Sequence, residues 1–205
     1  LIIFLLIISY LIGSIPTGIL ISKTKGIDLR KVGSGNIGAT NVLRAMGKEA
    51  ALLTLIGDAA KGAIVVWIAR LILHNIYDLN NQFIFEGIMG IASILGHNFS
   101  IFLRFKGGKG VATSLGFLLV YSPYVALFTI MIWLITAKWS KYSSLGAIVS
   151  FGLLPFSFFI LDYSREKIII ATIIAILIFI RHISNIKRLL SGRESRIGEG
   201  INEKQ

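Results

Sequence analysis

The 205-residue chain has no cysteine, only three histidines, three prolines, and 10 acidic residues against 21 basic ones. Without cysteine there is no disulfide, no thiol nucleophile and no thiolate metal site. The histidines (His74, His97 and His182) are scattered, which argues against structural zinc, and no cluster of carboxylates and histidines has metal-ligand spacing. Charged residues make up 15% of the chain, against about 25% in an ordinary soluble domain. In their place stand 55% hydrophobic residues and a mean hydropathy of +0.79. Each helix crossing a bilayer core of about 30 Å needs roughly 20 apolar residues. The chain is therefore expected to be one membrane-embedded unit over residues 1–205, with little left for a separate soluble domain. Its first apolar stretch lacks a basic n-region and a small-residue cleavage site, so it is expected to be retained as a span.

Apolar runs between polar breaks give seven stretches, at residues 1–22, 50–73, 83–103, 111–121, 124–137, 144–161 and 167–180. The fourth and fifth are short and meet at Ser122-Pro123; together they are too long for one crossing, so two tilted helices are predicted. With seven spans, Lys23, Lys25, Arg30, Lys31, Arg44, Lys48, Arg104, Lys106, Lys109, Lys138, Lys141 and the basic tail (Arg181 to Lys204) share one side. The other side holds only Arg165 and Lys167. Positive-inside bias places the N-terminus outside and the C-terminus in the cytoplasm. The prediction is an all-α integral membrane protein of seven transmembrane helices. The same bias, with contact to anionic lipid, explains most of the net charge of +11. Nucleic-acid binding is excluded, because few aromatics interleave with the basic residues.

Topology alone does not explain the glycines in these loops. Residues 33–41 read Gly33-Ser34-Gly35-Asn36-Ile37-Gly38-Ala39-Thr40-Asn41, followed closely by Arg44. The formal G-x-G-x-x-G is not a dinucleotide fingerprint, since no βαβ unit fits between two membrane spans. Glycine backbone can still approach an anion closely, with neutral donors and one guanidinium beside it. A solvated interhelical turn is the competing reading. The second loop, Arg104-Phe105-Lys106-Gly107-Gly108-Lys109-Gly110, opens the fourth span. It is not a Walker A loop, which needs Ser or Thr directly after its Gly-Lys. Two lysines on a glycine turn at a helix N-terminus nevertheless suit phosphate. Ser144 taken alone reads as a helix cap. His182 and Asn185, three apart, are predicted on one helix face, with Lys187 beyond them. Asp58 and Lys61 in the second span are spaced for an internal ion pair that braces the bundle or holds a loop; His97 and Asn98 raise the same question. Pro16 is expected to kink the first span, and Ala171 with Ala175 to allow close helix packing.

Jointly these blocks resemble the bacterial acyl-phosphate:glycerol-3-phosphate acyltransferases, the PlsY family. The resemblance runs through Gly13-Ser14-Ile15-Pro16-Thr17-Gly18, the 33–41 loop with Leu43-Arg44, and Asp58-Ala59-Ala60-Lys61-Gly62. It continues through Gly96-His97-Asn98-Phe99, residues 105–113, and His182-Ile183-Ser184-Asn185-Ile186-Lys187-Arg188-Leu189. One block departs: similar members often read Arg-Tyr-Val-Ser-Leu-Ser-Ser before the sixth span, whereas this chain has Ser144 followed by Gly146 and Ala147. The resemblance implies acyl transfer from acyl phosphate to the sn-1 hydroxyl of glycerol 3-phosphate, giving lysophosphatidic acid and phosphate for phospholipid synthesis. It implies a seven-helix fold with a cytoplasm-facing site; the protein is expected in the bacterial inner membrane, as a monomer, with no cofactor or metal. Expected catalytic residues are Ser34, His182 and Asn185. Gly33, Gly35, Asn36, Gly38, Thr40, Asn41, Arg44, Lys106, Gly107, Gly108, Lys109, Gly110, Ser144 and Lys187 are expected to hold substrate and phosphate. The general base is either His182 or a substrate phosphate. Glycerolipid acyltransferases of the H-x-x-x-x-D type are excluded: His74 and Asp78 are one residue too close, and Phe102 and Lys187 stand where His97 and His182 need an acid. A phosphorylated-solute transporter is disfavoured by the lack of an internal repeat, and a cytidine-lipid phosphotransferase by the lack of spaced aspartates.

Overall fold

The computed structural model describes residues 1–74 and 79–199, with side chains of 79–81 excepted; Asp78 and Lys204 lie outside the described residues. Among these residues the regular structure is entirely helical, with no strand. The first apolar stretch forms α1 (Ile2–Ser14) and α2 (Thr17–Lys23), broken where Pro16 has no N–H to continue the ladder. The amphipathic α3 (Ala39–Met46) leads at Gly47 into the long α4 (Lys48–Leu73). α5 (Leu79–Asn98) is followed by a short 3₁₀ turn, Ile101–Leu103, and the two cover the expected 83–103 stretch. Then follow α6 (Val111–Tyr121), α7 (Pro123–Ser140), α8 (Ser143–Gly152), α9 (Leu154–Leu161), α10 (Arg165–Arg181) and α11 (Ile183–Leu190).

Among the described residues four helical stretches are long and apolar enough to cross a membrane: Ile2–Lys23, Lys48–Leu73, Gln82–Leu103 and Pro123–Ser140. Two bent pairs, α8 with α9 at 44° and α10 with α11 at 58°, bring the number to six if each pair is one span. Pro155 in the first turn of α9 accounts for the first bend. The second falls at His182, whose ring Nδ1–H donates to the Ile178 carbonyl at 2.8 Å and closes the end of α10. His182 and Asn185 therefore do not share one straight helix face, as their spacing suggested. His182 is the hinge residue and Asn185 belongs to the next helix. At about 1.5 Å per residue, the eleven residues of α6 are shorter than a bilayer core. α6 is instead sheltered by protein, with Thr113, Ser114, Gly116, Phe117, Leu118 and Tyr121 buried.

Glycine sets the closest helix contacts. A Cβ at Gly116 would lie 1.8 Å from the Ala59 carbonyl oxygen, and one at Gly62 would lie 2.1 Å from that of Thr113. The same reciprocity joins α1 to α5, where Gly13 abuts Ser93 and Gly96 abuts Tyr10. Lipid provides little hydrophobic drive between helices, so van der Waals packing at such small-residue crossings holds them together. Ala171 and Ala175 are buried, as expected, beside Ile170 and Ile174 in a core built around Phe117, Tyr121, Phe151 and Phe158. Outward-facing apolar side chains such as Trp67 and Phe156 suit lipid contact. Trp139, Tyr124 and Tyr163, all highly exposed, flank helix ends as interfacial aromatics do.

Candidate active site

The glycine turn after α5 is clamped from two sides. Gly107 N–H donates to Asn98 O at 3.2 Å, and Gly108 N–H to His97 O at 3.0 Å. Arg181 donates through Nε and Nη2 to the Gly108 carbonyl at 3.0 and 2.8 Å, and through Nη2 to Gly107 O at 3.1 Å. A Cβ at Gly107 would strike the His97 backbone, and one at Gly108 the His97 ring. Gly110 caps α6 with φ +85°, a left-handed conformation suited to glycine. The N–H groups of Gly107 and Gly108 are thus engaged within the protein. Capacity for an anion rests on Lys109 and on the positive N-terminus of α6.

Lys109 turns inward and donates to Asn185 Oδ1. The Asn185 amide nitrogen donates to Glu194 Oε1. Ser144 donates to the same oxygen at 2.7 Å, while Arg188 Nε donates to Glu194 Oε2 at 2.7 Å. Lysine only donates and carboxylate only accepts, so the orientation of the Asn185 amide follows from its neighbours. Burial lowers the Lys109 pKa to about 8; Glu194 raises it in part, and Arg188, Arg181 and Arg44 push it down again. Burial pushes the Glu194 carboxyl up, but hydrogen bonds from Ser144, Asn185 and Arg188 prevail and hold it below its ordinary value. The turn, α8, α11 and the C-terminal segment meet at these five side chains.

The 33–41 loop joins them through α3. Thr40 Oγ1 lies 3.2 Å from Ser143 Oγ, next to Ser144. Arg44 donates through Nη2 to the carbonyls of Ser195 and Arg196, flanking Glu194, at 3.3 and 3.2 Å. Its buried Nε has no partner among the described residues. Gly33 and Gly35 take left-handed φ values of +58° and +69°. Asn41 differs from the expected free donor. It is buried, gives its NH₂ to Leu29 O and Val32 O, and accepts Ser34 N–H at 2.9 Å, so it braces the loop. Gly35 N–H is taken by Val32 O. Ser34 is exposed beside this brace, with Asn36 and Gly38 half-buried nearby.

Two of the expected phosphate ligands lie apart. The Lys106 and Lys187 side chains are exposed, while their neighbours Lys109 and Arg188 enter the cluster. The buried His182 keeps its Nε2 lone pair when neutral, because a carbonyl can only accept the Nδ1 proton. Glu194, Arg188 and Arg181 were not singled out from sequence as site residues. The signal for Glu194 is an isolated acid in a run of basic residues. No group of three His, Asp or Glu among the described residues could hold a metal ion.

An all-helical bundle with exposed apolar sides and a half-buried cationic cluster at converging loops defines a membrane protein that handles an anionic substrate. The glycerol-3-phosphate acyltransferase family model matches residues 3–192, and the chain belongs to that family. It is 46% identical to the glycerol-3-phosphate acyltransferase of Bordetella pertussis over 95% of this chain and 91% of that one. For the enzyme of Aquifex aeolicus the figures are 44%, 94% and 97%. Two crystal structures of PlsY, an integral membrane glycerol 3-phosphate acyltransferase, share the fold. The glycerol 3-phosphate form has a TM-score of 0.88 and 44% identity, covering 96% of each chain. The lysophosphatidic acid form has a TM-score of 0.86 and 42% identity, covering 96% of this chain and 95% of that one. The chain is accordingly a membrane acyltransferase of lipid biosynthesis, acting on glycerol 3-phosphate.

Proposed function

We propose that this enzyme takes its acyl group from acyl phosphate and delivers it to the sn-1 hydroxyl of glycerol 3-phosphate. The site would face the cytoplasm in the bacterial inner membrane. The single unit of residues 1–205 would cross seven times as a monomer, N-terminus outside, with the protein-sheltered α6 as the short crossing. The observation that carries the reading is Lys109, turned inward and half-buried on the glycine turn between Asn185, Arg44 and the Ser144–Glu194 contact. Glu194 offsets only part of that positive charge, and the unpartnered Nε of Arg44 is a charged donor available to a phosphate oxygen. The relatives with bound glycerol 3-phosphate and lysophosphatidic acid support the same chemistry.

In this reaction the glycerol hydroxyl oxygen attacks the acyl carbonyl, a new ester C–O bond forms, and the bond to phosphate breaks. The electron pair leaves on phosphate, which is already a good leaving group. The hydroxyl proton passes to the departing phosphate, so the protein contributes mainly alignment and charge stabilisation. Ser34, Asn36 and Thr40 supply neutral donors near Arg44, while Asn41 holds their loop. Lys109, the N-terminus of α6 and Arg44 hold phosphate. Asn185 orients Lys109, and Ser144 closes the pocket from α8. Purified enzyme in detergent, given palmitoyl phosphate and glycerol 3-phosphate, is expected to release phosphate and lysophosphatidic acid in equal amounts. Failure of both, with glycerol 3-phosphate transport in liposomes, would overturn the reading. Near-wild-type turnover of His182→Ala at saturating substrate is expected if phosphate takes the proton; loss of turnover in both His182→Ala and His182→Asn, with thermal unfolding and substrate KM unchanged, would make His182 the base.

A further inference from the structure

Asp58, Lys61 and His97 lie inside the bundle, are nearly fully buried, and belong to none of the groups assigned to substrate above. An ammonium has three protons and no lone pair. Lys61 Nζ has three acceptors around it: the Ile15 carbonyl at 2.9 Å, Asp58 Oδ1 at 2.7 Å and His97 Nδ1 at 3.0 Å. The Ile15 carbonyl stands at the proline break between α1 and α2, and Thr17, the first residue of α2, donates to Asp58. The lysine therefore makes His97 Nδ1 an acceptor, which leaves the imidazole proton on Nε2. That nitrogen lies against Gly108, 2.1 Å from where a Cβ would stand, and the His97 carbonyl accepts the Gly108 N–H at 3.0 Å. One residue further on is Lys109.

We propose that Asp58, Lys61 and His97 are positioning residues, forming a floor that sets the height of the glycine turn and so the reach of Lys109 into the substrate pocket. Arg181 holds the turn from above by its carbonyls; the imidazole bounds it from below. The proline break and Thr17 join the same network, so the first span is coupled to the anion site without touching it. Two buried charges are a costly way to brace a bundle, because packed apolar residues of the same volume do it at least as well. A ring held in one tautomer at a fixed distance from a glycine sets where the turn stands, and with it how far Lys109 reaches toward a bound anion. The inference rests on the reading of the turn as a phosphate site, and the experiment separates the two.

The full chain is purified in detergent, and kcat and KM are measured for glycerol 3-phosphate and palmitoyl phosphate. Lys109→Met identifies which substrate the turn holds by raising its KM. In Asp58→Asn/Lys61→Met, which removes both charges together, that same KM is expected to rise roughly tenfold with kcat changed less than about threefold. Thermal unfolding of this variant should stay near wild type. His97→Ala should raise the same KM, and His97→Gln, which keeps an acceptor and a donor, should recover part of the loss. Where the double variant does not fold, a cycle of Gly108→Ala with His97→Ala decides: removing the ring makes room for the added methyl, so the paired KM penalty should fall below the product of the single penalties. A folded, charge-free variant with unchanged KM, or a multiplicative cycle, overturns the floor. No KM change in Lys109→Met overturns the phosphate reading itself.

Discussion

At the scale of single residues, Lys109 is where burial and charge meet most sharply. Its pKa is lowered to about 8, and anionic substrate prefers the protonated form. Binding is therefore complete below that value and lost as pH rises through it. kcat/KM for the phosphate it holds should fall by about tenfold per pH unit above this limb. Lys109→Arg, which stays charged, should remove the limb while leaving activity at neutral pH. Glu194 acts on the same group from the other side. Its negative charge raises the Lys109 pKa, so Glu194→Gln should move the limb to lower pH, an outcome that a pH–rate profile reads directly. Asn185 sits between them with one end on each, and Asn185→Asp would replace its NH₂ with an acceptor facing Glu194. Repulsion between the two carboxylates should then disrupt the cluster.

At the scale of elements, two glycine crossings bring α4 against α6 and α1 against α5. Gly116→Ala places a methyl against the backbone of Ala59, which cannot swing aside as a side chain would. The helices must separate, at a cost of about 1–3 kcal/mol, as overpacking usually does. Thermal unfolding in detergent should show the loss. Gly26→Ala meets no neighbouring atom, so its effect should reflect only the left-handed backbone and be smaller. The breaks between helices also place the site. At the Pro16 break the Ile15 carbonyl accepts from Lys61, and the His182 bend turns α11 so that Asn185 and Arg188 reach Glu194. A straight final helix would carry both away.

At the scale of the whole molecule, charge asymmetry predicts orientation, and the absence of cysteine makes it easy to test. Single cysteines at Lys106 or Arg193, introduced into the cysteine-free chain, should react in intact cells only with reagents that enter the cytoplasm. One at Arg165 should react from outside. Reaction of all three from one side would exclude the seven-span arrangement, since Arg165 opens α10 at the end opposite His182.

Composition alone determined a helical membrane protein, because 55% hydrophobic residues in runs of this length have nowhere else to go. The apolar runs located most helices; α6 begins and ends at the two residues expected of it. The pairing of Asp58 with Lys61 was also legible, since a helix brings residues three apart onto one face. Local periodicity could not reveal which lysine of each loop turns inward. Lys106 and Lys109 share one turn, yet only the second turns inward to Asn185, because Arg181 and His97 fix the backbone between them. Nor could it reveal Glu194, which acquires its partners only when α8, α11 and the C-terminal segment meet. The basic glycine loops could be read as candidates one by one. Their convergence on a single half-buried charge cluster was decided by helix packing, which brings together residues far apart in the chain.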